Sequence, residues 1–276
     1  MKLKRRLVLL SIAMTVSLAA AWPIAAFAAT QPRLGTATSF AVLAGSTITN
    51  TGSSVVNGDL GLSPGSAVTG FPPGVVNGGT HIADGVALQA KNDLVTAYND
   101  AANQTPFVDM TGVNLGNQNL SPGVYHFSSS AQLTGPLTLS GFGVFIFQIG
   151  SSLTTASASS VLLTNGAQAC GVYWQVTSSA TFGTATAFQG TVMALQSITM
   201  NTGATLIGRA LARNAAVTLD TNTLNRPAAA CAGLPNTGIP LSLRGTFPWQ
   251  LLLIGIAGGL GALLLGSNAR ARRRRI

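Results

Sequence analysis

The amino-acid sequence predicts a mainly β fold, a parallel β-solenoid of roughly triangular section with one long α-helix packed alongside. Three observations support this prediction: short segments in which apolar residues alternate with small polar ones, an eighteen-residue repeat, and a single amphipathic helical segment. Only 8% of the 276 residues are charged, but recurrent Val, Leu, Ile and Phe distinguish the chain from a disordered one. We therefore expect one folded domain with a substantial core, over residues 29–233.

The eighteen-residue repeat is the main indication of a solenoid. Three segments align at steps of eighteen residues when Trp174, Val192 and Ala210 are matched. Each is followed by a second short strand and then by a third, threonine-rich stretch. The second strands are residues 179–182, 197–200 and 216–219, and the third stretches are closed by Phe188, Leu206 and Leu224. Three short strands per repeat are typical of a β-solenoid whose coils stack on their neighbours.

Alternation within the second strands predicts which side chains face the core. Side chains on a strand point alternately to opposite faces, so the apolar residues of each strand should point inward. The predicted inward residues are Ala180, Phe182, Ile198, Met200, Val217 and Leu219. Thr181, Thr199 and Thr218 then point outward, which predicts a ladder of threonines on a flat surface.

One segment, residues 84–103, predicts a helix. Asp84 is a good N-cap, and Pro106 prevents continuation. The expected apolar stripe is Val86, Ala90, Leu94, Ala97, Tyr98 and Ala101. The expected contacts beneath it are Ile146, Tyr173, Met193 and Leu211. Looser repeats precede and follow this helix, because residues 46–52 resemble 197–203 and residues 145–149 resemble 172–176.

Both ends of the chain resemble targeting signals. Residues 1–28 combine a basic start, an apolar run and a small-x-small cleavage site, which is typical of a secretory signal peptide. A pentapeptide near the other end resembles the LPxTG signal that sortase recognises: Leu234, Pro235, Asn236, Thr237 and Gly238. An apolar segment, 247–265, and a basic tail, 266–276, follow it.

The resemblance implies an exported protein of a Gram-positive bacterium, inserted in the membrane only as a precursor. Sortase would cut after Thr237 and join its carbonyl to peptidoglycan, leaving the protein anchored to the cell wall. The alternative is a tail-anchored membrane protein in which the pentapeptide has no role.

The formal charge of +9 belongs to the ends of the chain. Between residues 29 and 237 there are five basic residues against six aspartates and no glutamate, so this part carries a net charge of about minus one. The sequence therefore excludes nucleic acid as an expected partner.

Cys170 and Cys231 are the two cysteines, and both lie in the part expected to be exported. An oxidising location favours a disulfide between them, which would contribute about 4 kcal/mol in the chain-entropy model. The alternative is two buried free thiols.

Residues 34–225 closely resemble the bacterial and fungal ice-binding domain, also known as the DUF3494 domain. The resemblance rests on five segments: residues 40–45, 58–65, 120–125, 145–150 and 208–212. It implies a discontinuous, right-handed β-helix with a long helix alongside. It also implies adsorption to ice crystals and inhibition of their growth or recrystallisation, as antifreeze-like proteins do.

Two sets of threonines qualify as the ice-binding surface. The first is the second-strand ladder of Thr181, Thr199 and Thr218 together with Thr49. The second lies on the third side of the coils and consists of Thr184, Thr186, Thr202, Thr205, Thr221 and Thr223. A Thr-Ala/Gly-x-Thr/Asn motif associated with active family members is complete at residues 202–205, with near matches at 51–54 and 184–187. The alternative for any of these threonines is simple β-propensity.

No catalytic, metal or cofactor site is expected. Active sites of β-solenoid hydrolases need convergent carboxylates, whereas the six aspartates are scattered, and His81 and His126 lack metal-ligand spacing. The remaining alternative to ice binding is a wall-attached adhesion or structural module that uses the same flat face.

Overall fold

The computed structural model of the protein describes residues 29–227 and Cys231. The predicted signal peptide (1–28), sorting motif (234–238), apolar segment (247–265) and basic tail (266–276) lie outside the described residues. Within the described part, no helix is long and apolar enough to span a bilayer.

The described chain consists of 22 short strands and one long helix. The strands before the helix are β1 (Phe40–Ala44), β2 (Thr47–Thr51), β3 (Val55–Asn57), β4 (Asp59–Leu62), β5 (Ala67–Thr69), β6 (Val75–Val76) and β7 (Thr80–Ile82). Helix α1 (Gly85–Ala102) follows. The next strands are β8 (Val108–Asp109), β9 (Asn119–Leu120), β10 (Gly123–Phe127), β11 (Ala131–Leu133), β12 (Pro136–Ser140), β13 (Phe145–Ile149), β14 (Leu153–Thr155) and β15 (Ser160–Thr164). The last strands are β16 (Val172–Val176), β17 (Ala180–Phe182), β18 (Ala187–Ala194), β19 (Ile198–Met200), β20 (Thr205–Ala212), β21 (Val217–Asp220) and β22 (Thr223–Asn225).

These strands form two parallel sheets that give each coil three sides. The second side is the seven-stranded sheet, ordered β11-β14-β17-β19-β21-β2-β5. The first and third sides belong to one fifteen-stranded sheet. The first side comprises β1, β4, β7, β8, β10, β13 and β16 with the second halves of β18 and β20. The third side comprises β3, β6, β9, β12, β15 and β22 with the first halves of β18 and β20.

Glycine makes the corner between the third and first sides possible in β18 and β20. Gly190 and Gly208 are paired at this corner, and Gly190 has a φ of 108°. A Cβ added at Gly208 would lie 1.9 Å from the carbonyl oxygen of Gly190, so a larger residue would clash with the backbone of the next coil. The two strands can therefore turn the corner without breaking their pairing.

The register confirms the eighteen-residue repeat. Trp174 is paired with Val192, and Val192 with Ala210, on the first side. On the third side, Phe188 is paired with Leu206 and Leu206 with Leu224. All strand pairs in the described part are parallel, as expected for a solenoid; the right-handed sense and the triangular section stay predictions.

The stack of coils is discontinuous in sequence. Val42 of β1 is paired with Ala210 of β20, and Thr223 of β22 with Val55 of β3, so the first coil lies directly on the last one. We call this junction the seam. The stack thus combines one block before helix α1 with a larger block after it.

The core lies inside the coils, where inward side chains of all three sides meet. The six residues predicted to point inward from the second side are all buried. Aromatic rings add a column of contacts: Phe147 stacks on Trp174 with centroids 3.9 Å apart, and Phe182 lies 4.5 Å from Phe188. The Trp174 indole N–H donates to the Gln189 carbonyl at 2.9 Å, so the buried ring has no unpaired polar atom.

Helix α1 covers the first side, as the sequence predicts. The Asp84 carboxylate accepts from the Ala87 amide at 2.8 Å and caps the helix, while Asn103 follows its last turn. A second apolar cluster joins the helix to the outer face of the first side. Its members include Ala90, Leu94, Ala97, Tyr98 and Ala101 of the helix, and Ile146, Tyr173, Met193 and Leu211 beneath.

The prediction for Val86 is wrong. Its side chain is 48% exposed, whereas Ala87 is fully buried. The buried positions 87, 90, 94, 97, 98 and 101 follow helical spacing. At about 3.6 residues per turn, Ala87 lies near the centre of that stripe and Val86 at its edge, where the side chain stays half exposed.

Polar side chains fasten helix α1 in its N-terminal half and at its C-terminus. Lys91 donates to the carbonyls of Ala212, at 2.6 Å, and Arg213. Gln148 donates to the carbonyls of Ala101 at 2.8 Å and Gln104 at 3.0 Å, which satisfies acceptors left free at the C-terminus of the helix. Burial, together with the positive charge of Arg213, lowers the pKa of Lys91 to about 8.

A disulfide joins Cys170 to Cys231, with Cα atoms 5.5 Å apart, and confirms the predicted pairing. Cys170 lies in a short 3-10 turn, Ala169–Gly171, that leads from the third side into β16 of the first. The bond therefore fastens the end of the described chain to a corner of the stack.

Candidate functional site

A ladder of threonines runs along the outer face of the second side. Strand register places one outward residue from each of the seven strands in a single column. In spatial order the column is Gln132, Thr154, Thr181, Thr199, Thr218, Thr49 and Thr69. Six threonines on successive strands therefore repeat at the strand spacing of about 4.8 Å.

The structure adds Thr154 and Thr69 to the four threonines predicted for this ladder. Each follows an inward apolar residue, Leu153 or Val68, just as Thr181 follows Ala180. That local pattern is visible in the sequence. The spacing hid it, because Thr154 precedes Thr181 by 27 residues rather than eighteen.

Further hydroxyls lie beside the ladder. The Ser179 and Ser197 hydroxyl oxygens lie 2.9 Å apart, and those of Ser130 and Ser152 lie 3.2 Å apart. Within the ladder, the Thr49 hydroxyl donates to that of Thr218 at 3.3 Å. The face thus presents hydroxyls and methyls in rows along the stacking direction.

The face is held rigid from below and is almost free of charge. The alternate residues of its strands are buried in the solenoid core. Among the residues of the seven strands, Asp220 is the one charged side chain. Asp220 lies opposite Thr51 at the edge toward the third side, and its carboxylate accepts from the hydroxyls of Thr202 and of Thr221.

The threonines predicted for the third side do not form a comparable ladder. Thr184, Thr202 and Thr221 are exposed in the turns that lead from the second side to the third. Strand pairing places Thr205 next to Thr223 in one column. The neighbours of this pair in the column are Ala187 on the next strand in one direction and Val55 in the other. The column therefore contains two successive threonines rather than six.

Thr186 must be removed from the predicted surface set. Its side chain is fully buried, and its hydroxyl lies 2.8 Å from that of Thr155 and donates to the Ala156 carbonyl at 3.1 Å. It satisfies polar groups at the corner between coils, so it cannot meet a ligand at the surface.

The outer surface of the third side is mixed. It exposes Ile207 and Val75, at 45% and 49%, next to a row of amides. Asn77 donates to Asn57, and Asn57 donates to Asn225, at 2.8 and 2.7 Å. These three asparagines pair with each other, and among the described residues their row does not extend to Ile207, which is paired with Asn225.

The motif at residues 202–205 forms a corner turn. Gly203 has a φ of 73°, Ala204 is buried, and Thr202 and Thr205 are exposed. The buried Asn222 amide donates to the carbonyls of Asn201 and Ala204, both at 2.9 Å, and holds the turn in place.

The carboxylates of the described residues serve local structure. Asp84 caps helix α1 and lies 2.9 Å from His81, and Asp93 accepts from the amide and hydroxyl of Thr36. Hydrogen bonds from Ala87 and then His81 lower the pKa of Asp84. Residues 29–227 and Cys231 contain no group of three His, Cys, Asp or Glu that could hold a metal ion.

Comparison with known proteins identifies the family. The model of the family described as Ice-binding-like matches residues 42–225. This chain belongs to the Ice-binding-like family. An ice-binding protein from Nostoc sp. (strain HG1) is 50% identical over 252 residues, covering 89% of this chain and 90% of that protein.

Two further ice-binding proteins are less similar to this chain. An ice-binding protein from Colwellia sp. is 38% identical over 211 residues, covering 70% of this chain and 83% of the relative. Ice-binding protein 1 of Shewanella frigidimarina (strain NCIMB 400) is 37% identical over 231 residues, or 71% of this chain, which spans 26% of that longer protein.

Solved structures of Ice-binding-like proteins share the fold. The crystal structure of an ice-binding protein from an Antarctic biological consortium has a TM-score of 0.71 at 50% identity, covering 74% of this chain and 95% of the other. The crystal structure of an ice-binding protein from Antarctomyces psychrotrophicus has a TM-score of 0.70 at 42% identity, covering 72% of this chain and 100% of the other.

Proposed function

We propose that this protein binds ice through the outer face of the second side and thereby inhibits the growth or recrystallisation of ice. The observation that carries the proposal is the ladder of six threonines in strict register on parallel strands. Membership of a family whose named relatives are ice-binding proteins supports it.

The chemistry of the ladder suits an ordered water surface. Each threonine presents a hydroxyl that can donate and accept a hydrogen bond, beside a methyl group that water avoids. Its β-branched side chain is restricted at χ1, and the strand spacing repeats it at about 4.8 Å. Such a face can hold water in a fixed arrangement before contact with a crystal, which lowers the entropic cost of binding.

The second side suits this role better than the third. An ice surface repeats in two dimensions, so a complementary protein surface must repeat one side chain at a fixed spacing. The third side exposes aliphatic residues beside amides that are hydrogen-bonded to one another. We therefore assign ice contact to Thr154, Thr181, Thr199, Thr218, Thr49 and Thr69, with Thr202 and Thr221 at the border.

A matched pair of tyrosine substitutions tests this assignment. Thr199→Tyr places a ring in the centre of the ladder, and Thr205→Tyr places one on the third side of the same coil. We expect Thr199→Tyr to lower ice-recrystallisation inhibition by roughly tenfold or more, since a bulky side chain separates the rest of the face from the crystal. Thr205→Tyr should stay close to wild type. An inactive wild type, or equal activity of the two variants, would contradict the proposal.

We further propose that the protein is exported and that sortase links it to the cell wall through Thr237. The order of signals supports this proposal: a signal peptide, an LPxTG-like motif, an apolar segment and a basic tail. In a Gram-positive host the protein should be released by wall hydrolase, carrying a peptidoglycan fragment on Thr237 that mass spectrometry can identify. Leu234→Ala should abolish this product. Recovery of an uncut C-terminus from wild-type cells would contradict the proposal and favour a tail-anchored protein.

A further inference from the structure

The end of the described chain is held at one particular corner of the stack. After β22, the Arg226 amide donates to the Asn57 carbonyl at 3.0 Å, and the Pro227 carbonyl accepts from Arg209 at 3.4 Å. Arg209 follows Gly208 directly, so this contact lies at the corner between the third and first sides. The Arg209 guanidinium is buried there and also donates to the Thr38 carbonyl at 3.0 Å.

The disulfide holds the chain at the same corner, two coils further along. Arg209 is paired with Thr191, and Thr191 with Tyr173 in β16. Cys170 lies immediately before β16, and both half-cystines are buried. Pro227 and Cys231 are therefore both fixed along the corner between the third and first sides.

This corner is the one that does not border the proposed ice-binding face. Each coil runs from the first side to the second and then to the third, so two of its three corners flank the second side. The third connects the end of one coil to the beginning of the next, and the last described residues, Pro227 and Cys231, are held there. The beginning of the domain is also away from the second side, because Gln31 donates to the Tyr173 hydroxyl at 2.8 Å.

We propose that the disulfide orients the anchored domain, holding the corner between the third and first sides against peptidoglycan and the threonine ladder away from it. This inference rests on the two parts of the proposed function, ice binding and attachment through Thr237. Its new element is the role of Cys170 and Cys231 as positioning residues for the ice-binding face, beyond their contribution to stability.

The reach of the chain decides the geometry. Cys231 precedes Thr237 by six residues, which span at most ~20 Å when extended. Pro227, whose carbonyl accepts from Arg209, precedes Thr237 by ten residues, so a tether measured from Pro227 in the absence of the disulfide spans at most ~35 Å. A side built from a five-residue strand is ~17 Å wide, so the shorter tether, even fully extended, ends close to the edge of the second side, whereas the longer one reaches across that side.

Single introduced lysines can report the orientation. Residues 29–237 contain one lysine, Lys91, which is buried. Thr154→Lys places an amine on the second side, and Arg226→Lys places one at the exit corner without changing the charge; both positions are exposed. The full chain is attached by sortase to oligoglycine beads and treated with an amine-reactive dextran, and labelling of the introduced lysine is measured by peptide mapping, which separates it from Lys2, Lys4 and the α-amino group. For each variant, the labelling rate on beads is divided by its rate in solution.

With the disulfide intact, we expect this ratio to be roughly threefold or more higher for Thr154→Lys than for Arg226→Lys, because the short tether shields the corner. Two changes should make the two ratios equal: Cys170→Ser with Cys231→Ser, and insertion of about twelve Gly and Ser residues between Gly233 and Leu234. The insertion leaves the domain and its disulfide intact, so it remains informative even if the double variant folds poorly.

Equal ratios in the wild-type background would overturn the proposal, as would unequal ratios that persist after the insertion. Failure of sortase attachment or of ice binding would be recognised separately from failure of this proposal. Loss of the attachment step would reject the sortase proposal, and absence of recrystallisation inhibition by the free protein would reject ice binding without changing the labelling result.

Discussion

The second and third sides of this solenoid are made by the same coils, yet they present different surfaces. On the second side, six successive strands place threonine at the same outward position. On the third side the corresponding column changes from Ala187 to Thr205, Thr223 and Val55. Backbone regularity is therefore common to both sides, and the proposed ice-binding site arises where one side chain is repeated on it.

The largest expected effects come from truncating buried leucines, which tests whether ice activity depends on the flatness of the second side or only on the stability of the fold. Leu219 and Leu224 are fully buried leucines of the same coil, beneath the second and third sides respectively. Leu219→Ala and Leu224→Ala should each lower the free energy of unfolding by about 2–5 kcal/mol, measured by chemical denaturation. Only Leu219→Ala should also reduce recrystallisation inhibition in the cold, where both variants are folded, since its cavity lies below the ladder. Equal loss of activity would show that the flatness of the second side has no special role.

The stability contributed by Lys91, which joins helix α1 to the solenoid, should depend on pH, whereas the ice activity of the second side should not. The folded-state pKa of Lys91 is about 8, below its ordinary value of 10.5, so between these pH values the unfolded chain binds more protons than the folded one. This group therefore makes the folded state more stable as pH rises from 8 to 10, by about 2 kcal/mol. Above pH 10 two buried groups act in opposite directions, because burial raises the pKa of Tyr173 to about 12 and lowers that of Arg209 to about 10, so the comparison is made between pH 8 and pH 10.

Unfolding by urea at pH 8 and pH 10 measures this dependence, and Lys91→Met should largely remove it. Ice activity should stay constant over the same range, because the strands of the second side contain no basic or phenolic side chain. A parallel change in ice activity would mean that the fastening of helix α1 also shapes the ladder.

The smallest expected effect comes from extending the ladder. Gln132 occupies the position next to Thr154 in the outward column. Gln132→Thr should increase recrystallisation inhibition by up to about twofold by adding a seventh threonine to the repeat. Gln189→Thr, on the third side, is the control and should have no effect. A gain from the control variant would place ice contact on both sides.

Much of this architecture follows from the sequence where the coils keep an eighteen-residue length. The pairing of Trp174 with Val192, the inward residues of the second side and the cluster beneath helix α1 were all predictable, because alternation and periodicity are local. Thr154 and Thr69 were missed because coils outside the regular block differ in length. Thr186 was misplaced because burial at a corner depends on neighbours that are distant in sequence, here Thr155 and Ala156. Val86 was misplaced because it lies at the edge of the helical stripe.

The seam has a consequence for how the chain folds. Residues 40–57 are synthesised first, yet their neighbours on one face are residues 205–225, which are synthesised near the end of the domain. Closing so long a loop is slow because its entropic cost precedes any gain from contacts. The larger block can stack coil by coil from neighbouring residues, so we expect the seam to form last and to set the folding rate. The hydrogen bond from buried Arg209 to the Thr38 carbonyl crosses the seam, so we expect it to form in this last step.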